Sequence, residues 1–156
     1  MRLALYQPDI PQNTGTILRL AACLGIAVDV IGPAGFDFSD RSLKRAGLDY
    51  LEHALIVRHE SFATFDAGLT AAAPPPRLVL LTTHADHTHV GFEFRADDVL
   101  LLGRESAGVP EAVHQRADAR VRIPIREELR SLNIAVAAAM VLGEALRQTD
   151  QFPRQT

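Results

Sequence analysis

Short apolar runs without polar alternation constrain this chain most. LVLL at residues 78–81 and VLLL at 99–102 carry four consecutive apolar residues each. A strand with one wet face alternates, whereas a strand covered on both faces reads as a continuous run. LALY at 3–6 and AVDVI at 27–31 have the same character, and shorter runs lie at 55–57 and 121–123. Helical spacing appears between them. Ile17, Leu20, Ala21 and Leu24 share a period near 3.6, with Asn13 or Thr14 as the expected N-cap and Gly25 as the C-cap. Ser39 or Asp40 is placed to cap a short helix through Ala46 that Gly47 ends, and Ser61 to cap one that aligns Phe62, Phe65 and Leu69. Pro110 is expected at the first position of another short helix. The last helix is expected from Leu132 or Asn133 to about Gln148, and residues 82–90 as polar loop. Strands alternating with helices define an α/β fold, a mostly parallel sheet flanked by helices.

At 156 residues and 47% hydrophobic composition, one domain spanning residues 1–156 is expected, with 150–156 a patternless, loose tail. No apolar run reaches membrane-spanning length, and the N-terminal apolar stretch is too short for a signal peptide. With a single cysteine, Cys23, no internal disulfide can form. A cytoplasmic location follows as the default. Cys23 is expected to pack among the apolar residues of its helix.

A net charge of −3 argues against a uniformly basic nucleic-acid-binding surface. The cations are nevertheless grouped, and all but Lys44 are arginine. Arg116, Arg120, Arg122, Arg126 and Arg130 form one group; Arg41, Lys44 and Arg45 form another. Arginine presents a planar fork suited to phosphate, although solvated surface charge accounts for such groups equally well.

In α/β sheets, ligands bind beyond the C-terminal ends of the strands. The segments there after the first, fifth and sixth runs are rich in Gly, Pro, Asn and Arg. PQNTGTILR contains Arg19 close to a predicted helix start, where the helix dipole does not favour a cation. GRESAGVP has two glycines that allow close backbone approach to a ligand, but also fits a plain strand-to-helix turn. It is neither a dinucleotide fingerprint nor a P-loop. Ser131-Leu132-Asn133 precedes an apolar helix, where capping alone explains a serine or asparagine, although such a terminus also binds anions. His84, Asp86, His87 and His89 have metal-like spacing without supporting ligands elsewhere, so exposed loop histidines and no metal are expected.

Taken together and in order, PQNTGTILR, LLGRESAGVP and RIPI-x4-RSLN followed by an apolar helix resemble the three motifs of the SPOUT methyltransferases, in their ribose-methylating branch. The short chain and the segment GFDFSDRSLKRAGLDY resemble its small group that acts on the tRNA wobble position (TrmL, or YibK-like). The resemblance covers roughly residues 1–148. It implies a C-terminal deep trefoil knot, S-adenosyl-L-methionine as methyl donor, a homodimer with the first and last helices at the interface, and tRNA as partner. The implied reaction methylates the ribose 2′-hydroxyl of the wobble cytidine or modified uridine of leucine tRNAs. Position by position, Leu81, Gly103, Ile123, Ser131 and Leu132 are the implied cofactor contacts. Asn13, Arg19, Glu105, Ser131 and Asn133 are the implied catalytic positions. Arg126-Glu127-Glu128-Leu129 departs from the Pro-Asn or Pro-Asp pair common before the third motif. Alternatives are the same chemistry at another tRNA or rRNA position, a non-catalytic RNA-binding knotted module, and a nucleotide-binding protein using GRESAG for phosphates.

Overall fold

A computed structural model of the chain describes residues 1–154. Seven strands form one sheet: β1 (Arg2–Tyr6), β2 (Ala27–Ile31), β3 (Ile56–His59), β4 (Leu78–Leu81), β5 (His87–Thr88), β6 (Val99–Leu102) and β7 (Ala119–Arg122). Their order is β3-β2-β1-β6-β4-β7-β5, and every pairing is parallel. The three central strands, β1, β6 and β4, are the three most continuous apolar runs, so the sheet centre lies where the sequence is driest. β6 is buried at all four positions.

Helices cover both faces. α1 (Pro11–Leu24), α2 (Arg41–Gly47) and α5 (Ile134–Thr149) pack on one face around Leu3, Leu5, Ile17, Leu18, Leu100 and Leu142. α3 (Phe62–Ala71) and α4 (Glu111–Arg116) cover the other, against Ala4, Ile31, Leu78 and Leu101. A 3₁₀ turn, Leu48–His53, follows α2. No helix among the described residues is long and apolar enough to cross a membrane.

Several boundaries differ from the sequence expectations. α1 begins at Pro11, with Ile10 in the cap position and no side-chain cap. Pro11 presets the helical φ and lacks the N–H a cap would satisfy. Asn13 therefore sits inside the first turn, with its side chain not engaged in capping. Arg19 lies beyond the first turn, where the dipole no longer matters. Gly25 is the C-cap as expected, at φ 67°. Cys23 is exposed, because it falls off the face formed by Ile17, Leu18 and Ala21. Pro110 is the N-cap of α4 and not its first residue. β3 and β7 are shifted by one or two residues. β5 lies inside the expected polar loop; its two residues are held by backbone pairing to β7, which leaves no apolar signature. At the C-terminus, Asp150 closes α5 in the left-handed region and the Gln151 N–H reaches the Leu146 carbonyl at 3.0 Å. The expected tail thus starts at this cap, and positions 155 and 156 lie outside the described residues.

Buried carboxylates tie neighbouring strands together. Asp98 is fully buried, accepts two bonds from Arg77 (2.9 and 2.8 Å) and also accepts from the Arg95 N–H. Asp29 accepts from Arg2 at 2.8 and 2.6 Å and is 2.7 Å from the His59 ring. Helices α1 and α2 approach closely at Gly15. A Cβ there would lie 2.5 Å from the Leu43 carbonyl oxygen and 2.8 Å from the Ala46 Cβ. Gly15→Ala is therefore expected to destabilise the fold by about 1–3 kcal/mol through overpacking, despite alanine's better helix propensity. Denaturant unfolding measures this; an unchanged or raised midpoint would show that the contact is not tight.

Candidate active site

All strands point the same way, so every β-to-α loop opens at one edge of the sheet. There, three loops build a cleft of about 700 Å³. Its walls include Leu81 at the end of β4, Gly103 and Glu105 after β6, and Ile123, Ser131 and Leu132 between β7 and α5. All five expected cofactor positions thus share one cavity. The volume is typical of small-molecule sites, and the lining combines aliphatic residues with a few polar ones.

The loop after β6 is a closed turn. The Arg104 N–H donates to the Gly108 carbonyl at 2.9 Å, and the Gly108 N–H returns to the Arg104 carbonyl at 2.8 Å. Gly108 has φ 63°, and a Cβ on Gly103 would sit 2.7–2.8 Å from Gly108 backbone atoms. The two glycines are needed by each other to close this turn, rather than only for approach to a ligand.

Reciprocal bonds join this turn to the loop after β1. The Asp9 N–H donates to the Glu105 carboxylate, and the Glu105 N–H donates to the Asp9 carboxylate, both at 3.2 Å. Ser106 Oγ also donates to Asp9. Arg104 Nε lies 3.7 Å from Asp9, an ion pair too long to be a hydrogen bond. Gln7, at φ 42°, turns the chain out of β1 into this junction. Asn13 Nδ2 reaches Glu105 at 3.4 Å, and Asn133 Nδ2 donates to Asn13 Oδ1 at 2.9 Å. Asn133 Oδ1 meanwhile caps α5 by accepting from the Ala135 and Val136 N–H groups. Asn133 is thus both a helix cap and the link between the first and third motifs.

Two carboxyls meeting this way differ in acidity. Hydrogen bonding with Glu105 chiefly, aided by Ser106, holds Asp9 down at about 2. Burial, then the bond with Asp9, pushes Glu105 above the usual carboxylate range. Asp9 is missing from the positions the motifs had marked, although an acid before a Pro-rich turn was visible in the sequence.

Arg19 is not in the cleft. It is exposed at mid-α1, with its guanidinium carbon 4.8 Å from the centre of the Tyr50 ring. The first arginine group also disperses. Arg116 pairs with Asp66 and Asp118, Arg120 donates to the His114 carbonyl, and Arg126 lies 3.9 Å from Glu128. His84 and His87 are exposed while His89 is buried, and no cluster of three or more metal-ligating side chains occurs among the described residues.

Fold and site together define an α/β protein with a ligand cleft built from three loops at one sheet edge. Residues 1–143 match the SpoU rRNA Methylase family, and the chain belongs to it. It is 63% identical over 146 residues to a tRNA (cytidine(34)-2′-O)-methyltransferase of Beijerinckia indica, covering 94% of this chain and 90% of that protein. The Escherichia coli K12 protein of the same name is 37% identical, covering 95% and 93%. Among solved structures, one that gives insights into the 2-OH methylation of C/U34 on tRNA superposes with a TM-score of 0.88 at 42% identity, covering 94% of both chains. The SpoU methyltransferase AviRb of Streptomyces viridochromogenes, solved with AdoMet, gives 0.87 at 32% identity, covering 95% of this chain and 60% of that one.

The sign of the Asp9 effect is testable. A carboxyl held below its ordinary 3.8 contributes stability that is complete above that value and fades as pH falls toward about 2. The stability difference between the wild type and Asp9→Asn is therefore expected to shrink as pH falls from about 4 to about 2. Denaturant unfolding across that range measures it. A difference that stays constant would remove the charge from the junction.

Proposed function

We propose that this chain, as a single catalytic domain, transfers a methyl group from S-adenosylmethionine to the ribose 2′-hydroxyl of the wobble cytidine or modified uridine of leucine tRNAs. The observation that carries this is that the second and third motif loops line one cleft, with the loop of the first motif tied to them by the Asp9–Glu105 and Asn13–Asn133 contacts. The names of the relatives support nucleotide 34 as the target, and the AdoMet complex of AviRb supports the donor.

The cleft fits that donor. Leu81, Ile123 and Leu132 offer apolar walls for a planar adenine, while Ser131, Glu111 and His114 offer polar groups within the same lining. When bound, S-adenosylmethionine supplies a methyl group already activated by its sulfonium. The remaining task of the protein is to hold a 2′-hydroxyl in line with it. Glu105 and Asn13 act as positioning groups, fixing the β1–α1 loop against the cleft.

The homodimer is inferred from α5. Val136 and Met140 stay 49% and 42% exposed although the opposite side of the helix is fully buried. Such an all-round apolar helix suits a second copy. Because Arg19 does not line the cleft of its own protomer, its role at the ribose is assigned across that interface. Arginine stays protonated, so it holds the neighbouring phosphate and stabilises developing alkoxide charge, while phosphate or water takes the proton. The knot belongs to the same proposal. Residues 82–90, bonded to β7 through Thr82 and His89, form the loop that the C-terminal segment would thread. The cytoplasm, where tRNA matures, is the proposed location.

Labelled S-adenosylmethionine incubated with total tRNA, followed by nucleoside mapping, tests the function. Label is expected at the 2′-oxygen of nucleotide 34 in leucine tRNAs. Label at another tRNA position or only in rRNA overturns the target, and absence of both transfer and cofactor binding overturns the enzyme. Arg19→Ala is expected to lower turnover by about two orders of magnitude with cofactor affinity retained. Near-normal turnover in both Arg19→Ala and Arg19→Lys would remove its chemical role.

A further inference from the structure

A second cleft, of about 260 Å³, opens at the same edge of the sheet beyond β2 and β3, and none of the three motifs reaches it. Phe36, Asp37 and Phe38 of the β2–α2 loop form one side, and Arg58 and His59 at the end of β3 form the other. Its floor is fixed. The His59 ring is held 2.7 Å from the buried Asp29 carboxylate and packs edge-on against Phe65 at 5.3 Å between centroids. Phe36 and Phe38 pack on each other at 5.8 Å. The Arg58 guanidinium carbon lies 3.8 Å over the centre of the Phe38 ring. Arg58 is exposed and forms no ion pair among the described residues. Asp37 is exposed and accepts the Ser39 N–H at 2.6 Å, and hydrogen bonding from Ser39 holds its carboxyl below the ordinary value.

An exposed cation stacked on an aromatic ring, beside a carboxylate, is a combination suited to a nucleobase. Unstacked bases of single-stranded RNA are held on aromatic and guanidinium planes and read through their polar edges. The surroundings carry the matching charge for a phosphate backbone. Arg41, Lys44 and Arg45 are all exposed on α2. None of them forms an ion pair among the described residues, unlike Arg2, Arg77, Arg104 and Arg116. A continuous line of contacts leads from this cleft to the larger one. The Gly35 N–H donates to the Pro8 carbonyl at 2.8 Å, and a Cβ on Gly35 would meet the Asp9 Cβ at 2.9 Å. Asp9 in turn is bonded to Glu105. The strand order separates the two clefts by three to four strands. That is roughly 15–20 Å, a few nucleotides along an extended strand.

We propose that this cleft is a nucleobase subsite, in which one base near the methylated nucleotide stacks on Arg58 over Phe38, with its amino edge toward Asp37. The subsite rests on the proposal that RNA is the substrate, and it deepens that proposal by assigning a specificity position. Asp37 can only accept hydrogen bonds when ionised, so bases carrying an amino group are favoured over uracil.

The test is direct binding of an end-labelled anticodon-arm RNA, without cofactor, by fluorescence anisotropy. Wild type, Phe38→Ala, Arg58→Ala, Arg58→Lys and Asp37→Asn are compared, with circular dichroism to confirm folding. Each RNA is also made abasic at one position within three nucleotides of the target. Arg58→Ala is expected to weaken binding about tenfold or more. One abasic position should weaken wild-type binding equally and add nothing further in Arg58→Ala. Arg58→Lys keeps the charge but not the plane, and is expected to lose at least about fivefold. Asp37→Asn should reduce the preference for an amino-bearing base at that one position. Arg58→Lys binding as wild type reduces the cleft to a phosphate contact and overturns the subsite. Losses that add independently at every abasic position overturn it as well. A wild type that binds RNA without methylating it overturns the function alone. One that binds no RNA overturns both.

Discussion

The exchange of backbone N–H groups between Asp9 and Glu105 is the contact on which the site depends. Each residue gives its amide to the carboxylate of the other, so neither loop can shift without losing two bonds at once. The parallel sheet brings the loops to the same edge, but a parallel sheet alone leaves them independent. The junction converts them into one wall. Asn13 extends it to Asn133, and through Asn133 to the first turn of α5. Its cost is electrostatic, since two carboxyls share one small volume. The structure meets that cost by setting their acidities apart, with Asp9 ionised and Glu105 pushed toward its proton.

Much of this was legible in the sequence, for a physical reason. Central parallel strands are buried on both faces, so 78–81 and 99–102 announce themselves as unbroken apolar runs, and their boundaries match β4 and β6. Edge strands carry no such signature. β5 is two residues of backbone pairing inside a polar loop, and β3 is exposed at two of its four positions. Helix α1 shows how a cap preference misleads. Asn13 has the right chemistry for an N-cap, but Pro11 starts the helix without one, and the asparagine is thereby released for the site.

The candidate site divides along the same line. Gly103, Ile123 and Leu132, expected from the motif resemblance to act through backbone or apolar surface, line one cleft. Long cations do not obey sequence proximity. Of the five arginines crowded into residues 116–130, Arg116, Arg120 and Arg126 take separate local partners, while the cations left without ion pairs on α1 and α2 come from segments more than twenty residues apart. Arg19 belongs with this second set, stacked near Tyr50 and outside the lining of its own cleft. Sequence order could not report that, because the direction of a helical side chain depends on where the helix begins.

Within this account, cofactor binding is the step from which every other role follows. Amide hydrogen exchange, with and without S-adenosylmethionine, reports it directly at the level of the three loops. Protection is predicted at residues 81–83, 103–108 and 123–133, with the second cleft at 36–38 and 58–59 unchanged. No protection at saturating cofactor, or protection confined to loops outside the large cleft, would contradict the account.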